Sequence, residues 1–320
     1  MGQAWAHFQY VFSTIMPVFL MIGLGYLAFR RGILPQNGHK ALAAFVFNFG
    51  LPAAIFSALS TKSLGEVWHT DYILAYTLGS LVAFALVFIY AIWMLRRTPV
   101  ESVVLGLGGS FSNSLLIGFP IIFFLFDTPA LIPFSLTLIV ENLIMLPLLL
   151  GLADMADNNS GANLKGKMKE TALNLAKNPI VLSIVLGLAC SAMSLHPPQA
   201  AERIIDMLAS TVTGVALFTI GGGLVGVSVS GMKREIGTVM IAKLLIHPLS
   251  ILIMLMLVFQ LDPMMSSVGV ILASVPMFGV YAVIGQRYQM GGLCSAVLLP
   301  TTLLGMLTVS AFTTLTLLLF

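Results

Sequence analysis

The sequence predicts an all-α polytopic membrane protein, and three observations support that prediction. The 320 residues are 58% hydrophobic and only 8% charged, whereas a soluble domain carries roughly 25% charged residues. The mean hydropathy is +1.02. Apolar segments also recur along the chain at about the 20 residues that a helix needs to cross the bilayer core. Lipid rather than water is therefore the expected surrounding of most of this chain.

Ten such segments are predicted, and the chain enters and leaves the bilayer with each of them. Segments four and five are separated only by Asp127-Thr128-Pro129. The ten segments cover residues 9–29, 39–59, 72–94, 103–126, 130–152, 179–195, 205–229, 237–259, 266–286 and 293–318.

The basic residues predict the orientation of the chain, because Lys and Arg are retained on the cytoplasmic side. Of the 15 Lys and Arg, twelve lie in one set of loops and only Lys62 and Arg203 lie in the opposite set. Lys243 lies inside segment eight. The loops after odd-numbered segments are thus expected to be cytoplasmic. We therefore predict a bacterial inner-membrane protein with both termini in the periplasm.

The polar stretch 154–178 divides the chain into two halves of five segments, 1–153 and 179–320. Because five is odd, the second half must enter the membrane from the side opposite to the first. That is the geometry of an inverted repeat. We interpret 154–178 as a cytoplasmic linker.

Several classes of protein are not supported by the sequence. The net charge of +3 and the absence of basic runs with interleaved aromatics argue against a nucleic-acid partner. Cys190 and Cys294 lie in apolar segments without the spacing of metal ligands. Templates such as His-Glu-x-x-His and the phosphate-binding loop are absent. We therefore expect neither an enzyme nor a cofactor. The N-terminus lacks the basic region of a signal peptide.

Segments four and nine each contain a predicted break in the helix. The first break lies within 108–120, where Gly118 and Pro120 are expected to interrupt the helix, and the second lies at Pro276. Unwound backbone at membrane depth is tolerated only where protein buries it or where it lines a cavity. A matched pair of breaks therefore indicates the binding site of a transporter.

The two breaks favour a negatively charged substrate, because half-helix N-termini present free N–H groups and positive dipole ends. The amide of Asn113 can donate to a carboxylate. The alternative is that these polar residues only cap a kinked helix, and that Pro276 is an ordinary kink. The predicted substrate-binding residues are Ser112, Asn113, Ser114, Pro276, Met277 and Tyr281.

Glu141 is the only acid deep inside a predicted span. Burying an ionised carboxylate is costly, so such a residue is usually paired, protonated or functional. Glu141 could take up a proton, coordinate Na⁺ or fix Asn113 through a hydrogen bond. A neutral acid bonded to a neighbouring helix is the simpler alternative. We predict that the next residue, Asn142, acts together with Glu141 in ion coupling or in supporting the site.

Three further residues are candidates for gating or proton relay. Lys243 and His247 lie one turn apart on segment eight. We expect Lys243 to extend its side chain to the membrane interface, and His247 to be either a packing residue or a relay. Arg287, at the end of segment nine, is expected to anchor the cytoplasmic side or to gate it.

Three motifs resemble those of the auxin efflux carrier (AEC) family, which includes the plant PIN carriers and bacterial organic-acid carriers. The resemblance covers the whole chain. Segment two carries Leu51-Pro52-Ala53-Ala54-Ile55-Phe56. Segment four carries Ser112-Asn113 followed by Gly118-Phe119-Pro120. Segment nine carries Val275-Pro276 and ends at Gln286-Arg287-Tyr288.

The resemblance implies a fold of two inverted five-helix repeats in which segments four and nine cross near the bilayer midplane. It implies a scaffold of segments one, two, six and seven, and a moving unit of segments three to five and eight to ten. It also implies a carboxylate substrate such as malonate, malate or lactate, a polar amide near Glu141, and a homodimer.

The chain departs from the plant pattern at two positions. Phe111-Ser112-Asn113 stands where plant carriers have Asn-Pro-Asn, and Tyr281 stands where the plant sequence has a second proline. These departures argue against an aromatic auxin as substrate.

The sequence thus predicts an elevator-type carrier of small carboxylates, with malonate as the first candidate. Coupling to H⁺ or Na⁺ and simple uniport both stay open. Alternative functions are an efflux carrier of another organic anion, a gated anion channel, a membrane sensor and an intramembrane enzyme.

Overall fold

The fold comes from a computed structural model that describes most of the chain. The described residues are 2–35, 37–60, 68–126, 130–156, 173, 176–195, 197–226, 233–277 and 281–319. Within these ranges the regular structure is entirely helical, and no strand is present. Residues 157–172 and Lys62 lie outside the described residues, as do Phe278, Gly279 and Val280 of the second predicted break.

Thirteen helices are numbered here within the described ranges. They are α1 Gly2–Arg30, α2 Gly38–Ser60, α3 Thr70–Trp93, α4 Pro99–Ser110, α5 Phe119–Phe126, α6 Leu131–Ala156, α7 Pro179–Ala192, α8 Gln199–Ser210, α9 Val212–Gly223, α10 Lys233–Val258, α11 Pro263–Ser274, α12 Tyr281–Arg287 and α13 Gly291–Leu319. A π-helical turn, Ser114–Gly118, leads into α5. Further π-helical turns lie inside α2, α6 and α10.

Three helices begin with a capping side chain followed directly by proline. Thr98 accepts a hydrogen bond from the backbone of Glu101, whose carboxylate in turn accepts from the backbone of Thr98, before α4. Asn178 caps α7, and Asp262 caps α11. Proline fits the first turn because its missing N–H would have no intrahelical partner there. These helix starts are therefore fixed by local sequence.

Glycines let neighbouring helices approach closely, as is typical of membrane proteins. A Cβ on Gly25 of α1 would overlap the backbone of Phe218 on α9, and a Cβ on Gly221 would overlap the backbone of Ile22. Gly106 of α4 similarly receives the ring of Phe84 from α3. Larger side chains at these positions would force the helices apart.

The helices pack in two groups. In the first, α1 packs along α9, while α2 packs against α7, α8 and α9. In the second, α3 packs against α4 and α10, and α11 and α12 pack against α13. The two groups also contact each other, because α1 packs against α13 as well. The division into scaffold and moving unit, and the motion of one against the other, stay predictions.

Seven helical segments of the described residues are long and apolar enough to cross a membrane. Three more apolar helices, Met16–Arg30, Pro179–Ala192 and Pro263–Ser274, are shorter. The chain is therefore a multi-pass membrane protein, while the count of ten spans and the inverted repeat stay predictions. The predicted start of segment seven was wrong by six residues, because α8 begins at Gln199, directly after Pro197-Pro198.

Candidate functional site

The two predicted breaks are present and contact each other. The last residue of α4 is Ser110, and Phe111 then adopts extended backbone with φ −118° and ψ 131°. The last residue of α11 is Ser274, and Val275 is likewise extended. The backbone N–H of Asn113 donates to the carbonyl oxygen of Pro276 across 2.9 Å. One break thus satisfies a main-chain group of the other, as buried unwound backbone requires.

A serine at the end of each first half-helix helps to explain why the helix stops there. The hydroxyl of Ser110 donates to the carbonyl of Gly106 at 2.9 Å, and that of Ser274 donates to the carbonyl of Ile271 at 2.7 Å. Such bonds compete with the helical ladder. Pro276 then removes a backbone donor from the second break. The ring of Pro276 packs against Gly305 of α13, where a Cβ would overlap it.

Gly118 and Pro120 were predicted as part of the first break, and that prediction was wrong. Gly118 ends the π-helical turn, and Pro120 is the second residue of α5, so the backbone stays helical at both. The wider turn before Pro120 accommodates its missing N–H. Gly118 instead allows close packing, because a Cβ there would overlap the side chain of Leu272 on α11.

Asn113 lies at the start of the second half-helix and faces a cavity. Its Oδ1 accepts a hydrogen bond from the backbone N–H of Leu116 at 3.2 Å, which caps that half-helix. The residue is only 4% exposed. Within the described part of the chain, its Nδ2 group has no hydrogen-bond partner. Asn113 therefore brings a nearly buried amide side chain to the wall of the cavity.

The cavity has a volume of about 410 Å³ and lies between the two helix groups. On one side are Asn113 and Met277 from the breaks, and on the other are His39 and Lys40 from the first turn of α2. The residues Thr219, Ser295 and Thr302 also line it. Sequence reasoning counted Lys40 only as a marker of orientation and did not consider His39. Neither lies near a break in the sequence, so no local signal linked them to the site.

Ser112 and Ser114 are not among the residues that line this cavity. The hydroxyl of Ser114 donates to Oε1 of Glu141 at 2.7 Å, and Oγ of Ser112 accepts from Nζ of Lys243 at 2.7 Å. In this structure the two serines therefore connect the first break to α6 and α10.

Tyr281 also lies away from the larger cavity. It is 1% exposed and lines a separate, small cavity together with Met277 and Leu107. Its hydroxyl lies so close to Gly108 of α4 that a side chain there would overlap it. Tyr281 thus packs α12 against α4.

Lys243 was expected to reach the membrane interface, and the structure corrects this. Its side chain is completely buried. Nζ donates to Oγ of Ser112 and, at 2.5 Å, to the carbonyl oxygen of Ala273, and it lies 2.9 Å from Nδ1 of His247. Lys243 is the eleventh residue of α10, about 15 Å along the axis from its start. Acceptors from both broken segments are much nearer than the interface.

The surroundings of Lys243 match the chemistry of an ammonium group, which has three donors and no acceptor. The three neighbours at hydrogen-bond distance are an oxygen from each broken segment and a nitrogen of His247. The other nitrogen of His247, Nε2, lies 3.0 Å from Oγ of Ser80. Both nitrogens of His247 are thus engaged, which fits the packing interpretation of this residue.

Glu141 lies in the π-helical turn Val140–Met145 of α6 and is 3% exposed. Its Oε1 accepts from Oγ of Ser114 at 2.7 Å and from the hydroxyl of Tyr76 at 3.4 Å. The hydrogen bond that it makes to the first break is therefore to Ser114 rather than to Asn113. The amide of Asn142 donates to the carbonyl of Leu138 in its own helix.

Arg287 ends α12 and pairs with an acid of the first half of the chain. Its guanidinium lies 2.9 Å from both carboxylate oxygens of Asp154, and the hydroxyl of Tyr288 donates to the same carboxylate at 2.9 Å. Asp154 belongs to α6, which continues to Ala156, so the helix extends three residues beyond the predicted boundary at 153. This cluster ties the end of the second broken segment to α6.

Comparison with known proteins identifies the family. A family profile described as "Membrane transport protein" matches residues 10–313. The chain belongs to this family, that of the auxin efflux carriers. A protein of Rhizobium meliloti named "Putative malonate transporter" is 30% identical over 303 residues, which cover 93% of each chain.

Two further proteins of similar sequence come from Escherichia coli and from mouse. The "Uncharacterized transporter YfdV" of Escherichia coli is 26% identical over 252 residues, which cover 75% of this chain and 77% of YfdV. The mouse "Lysosomal cholesterol signaling protein" is 26% identical over 75% of the chain but only 29% of its own length. The chain is therefore a membrane transporter.

Proposed function

We propose that this transporter carries small carboxylate anions, with malonate as the first candidate, by alternating access of the elevator type. The observation that carries the proposal is the contact of two unwound segments, Asn113 to Pro276, at the wall of a cavity between two helix groups. In this proposal ten spans form two inverted repeats. The group containing α3, α4 and α10 moves against the group containing α1, α2 and α9.

The chemistry of the cavity favours a small anion with two acceptor ends. About 410 Å³ lies at the lower end of the range of ligand sites. Asn113 offers a nearly buried N–H donor on one wall, and Lys40 offers a positive charge on the other. A dicarboxylate such as malonate can place one carboxylate near each. The name of the Rhizobium relative refers to the same substrate.

Uptake of radiolabelled malonate into proteoliposomes tests the proposed function. We expect saturable uptake that excess unlabelled malonate suppresses and that a neutral malonate diester does not. Lack of uptake above protein-free liposomes, for malonate, malate and lactate alike and in both directions, would contradict the proposal. A gated channel is distinguished by flux that does not saturate with concentration.

Lys40→Gln should raise the malonate concentration for half-maximal uptake by about two- to fivefold. The side chain is exposed, so water and salt screen its charge and limit the effect to about 0.5–1 kcal/mol. Lys177→Gln is the matched control, because Lys177 is an exposed lysine that does not line the cavity. Equal affinities of both variants and the unmodified protein would exclude Lys40 from the site.

Glu141→Gln tests whether a proton accompanies the substrate. Glutamine keeps an oxygen that can accept from Ser114, but it cannot be protonated in the physiological range. If Glu141 carries the proton, an imposed pH gradient should stimulate uptake by the unmodified protein several-fold and leave Glu141→Gln unaffected. Asp71→Asn, at an exposed acid on α3, should retain the stimulation. Stimulation by a Na⁺ gradient alone, or by neither gradient, would instead indicate Na⁺ coupling or uniport.

A further inference from the structure

A third cavity lies on the outer face of the helix pair α3 and α10, separate from the cavity of the proposed substrate site. It is an open groove of about 790 Å³. Along most of its length the walls are apolar, formed by Leu86, Val87, Ile241 and Ile246, and its floor includes Gly237. Leu86 and Ile241 are each about half exposed. A groove of this kind between two membrane helices faces lipid tails.

One end of the groove carries two positive charges. Lys233 and Arg234, the first residues of α10, line it there, together with Tyr90 and Met94 near the end of α3. Tyr90 and the neighbouring Trp93 are exposed, as is typical of aromatic side chains at the level of lipid headgroups. The cations therefore lie where an apolar tail region meets the headgroup region.

The acid next to these two cations in sequence forms its ion pair with another residue. The adjacent carboxylate, that of Glu235, pairs with Arg97 at 2.6 Å, and Arg97 also approaches Glu101 at 3.4 Å. Among the described residues, neither Lys233 nor Arg234 forms an ion pair, and the sequence 227–232 contains no acid. The positive charge at this end of the groove is thus available to an external anion.

We propose that this groove is a binding site for an anionic phospholipid, whose phosphate pairs with Lys233 and Arg234 and whose acyl chain lies between α3 and α10. Basic pockets between membrane helices bind acidic headgroups in this way. The groove also adjoins the proposed substrate site. Val87 and Ala242 form part of its wall and pack directly on Gly109 of α4, and Ala242 precedes Lys243. A bound lipid would therefore contact the helices that hold the first break.

Lipid binding to the purified protein, measured by native mass spectrometry, tests the proposal independently of transport. We expect phosphatidylglycerol to bind at least about tenfold more tightly than phosphatidylcholine. The double variant Lys233→Gln/Arg234→Gln should weaken phosphatidylglycerol binding by about 30-fold, since each basic residue contributes about fivefold. The double variant Arg31→Gln/Lys177→Gln, which removes two exposed cations elsewhere, should bind like the unmodified protein.

A second variant tests the acyl-chain part of the site without changing charge. A Cβ at Gly237 meets no atom within 4 Å, so Gly237→Leu should fill the groove and leave the fold intact. Binding of both lipids should fall. Gly214→Leu is the matched control, because Gly214 is a helical glycine on α9 with equally open surroundings.

Three outcomes would overturn the proposal. The first is equal binding of the two lipids by the unmodified protein. The second is an equal loss of binding in the variants and in their controls. The third is displacement of phosphatidylglycerol by millimolar glycerol 3-phosphate, which would indicate a site for a soluble phosphate instead of a lipid. Failure of malonate uptake bears on none of these measurements.

Discussion

Lys243→Met should abolish uptake and lower the melting temperature of the purified protein by at least about 5 °C. Methionine fills a similar volume but donates no hydrogen bond. The change leaves the carbonyl of Ala273, the hydroxyl of Ser112 and Nδ1 of His247 without their buried partner. A buried polar group without a partner costs about 1–3 kcal/mol. For the three groups together we expect the free energy of unfolding to fall by at least about 3 kcal/mol.

The effect on transport should be larger than the effect on stability. Among the side chains that the structure describes, Lys243 is the one that donates to both broken segments, through Ser112 and Ala273. Without Lys243, the hydrogen bonds through which one side chain joins the two breaks are lost, so the relative position of the breaks is less fixed. Scanning fluorimetry in detergent and malonate uptake measure the two effects. Lys177→Met is the control for loss of an exposed lysine, and near-normal uptake by Lys243→Met would contradict the assigned role.

Asn113→Ala should weaken malonate binding by about 1–3 kcal/mol, or roughly 5- to 150-fold, because a buried polar partner is lost. Alanine also removes the cap on the second half-helix, which costs about 1 kcal/mol of stability. Asn113→Asp separates these two effects. Aspartate can still accept from the N–H of Leu116, but it places a negative charge where the anion binds.

The two variants therefore differ in stability but agree in binding. We expect the melting temperature of Asn113→Asp to stay near that of the unmodified protein and that of Asn113→Ala to fall, while both lose malonate affinity. Isothermal titration calorimetry measures the affinity. Asn48→Ala is the control, because the Asn48 amide donates to the carbonyl of Ala44 in its own helix and Asn48 does not line the cavity. Unchanged affinity in Asn113→Asp would exclude Asn113 from the substrate site.

The broken helices could be predicted from the sequence because their causes are local. Serine hydroxyls that compete with the helical ladder, a proline without an N–H, and an asparagine that caps the following half-helix all act within a few residues. Ser110, Asn113, Ser274 and Pro276 act in this way in the structure. The same local reasoning failed for Pro120, because a π-helical turn absorbs its missing donor without a break.

The polar contacts of the site could not be predicted, because they join residues that are distant in sequence. Lys243 meets Ser112 across 131 positions, and Ser80 meets His247 across 167. From sequence alone, a lysine in an apolar span can either reach the interface or find acceptors inside. The choice depends on which acceptors neighbouring helices bring near. Lys40 shows the same limit, since only the packing of α2 beside the breaks brings it to the cavity.

The central claim is that a carboxylate occupies the cavity beside the crossing of the two broken segments, and protection of a single introduced cysteine tests it most directly. Ser295→Cys, in a protein with Cys190→Ser whose remaining native cysteine, Cys294, is buried, places a thiol at the cavity wall. Ser57→Cys in the same background places one in a different pocket. We predict that malonate slows maleimide labelling of Ser295→Cys but not of Ser57→Cys, and that Asn113→Ala removes this protection. Labelling of Ser295→Cys at the same rate with and without saturating malonate would contradict the account.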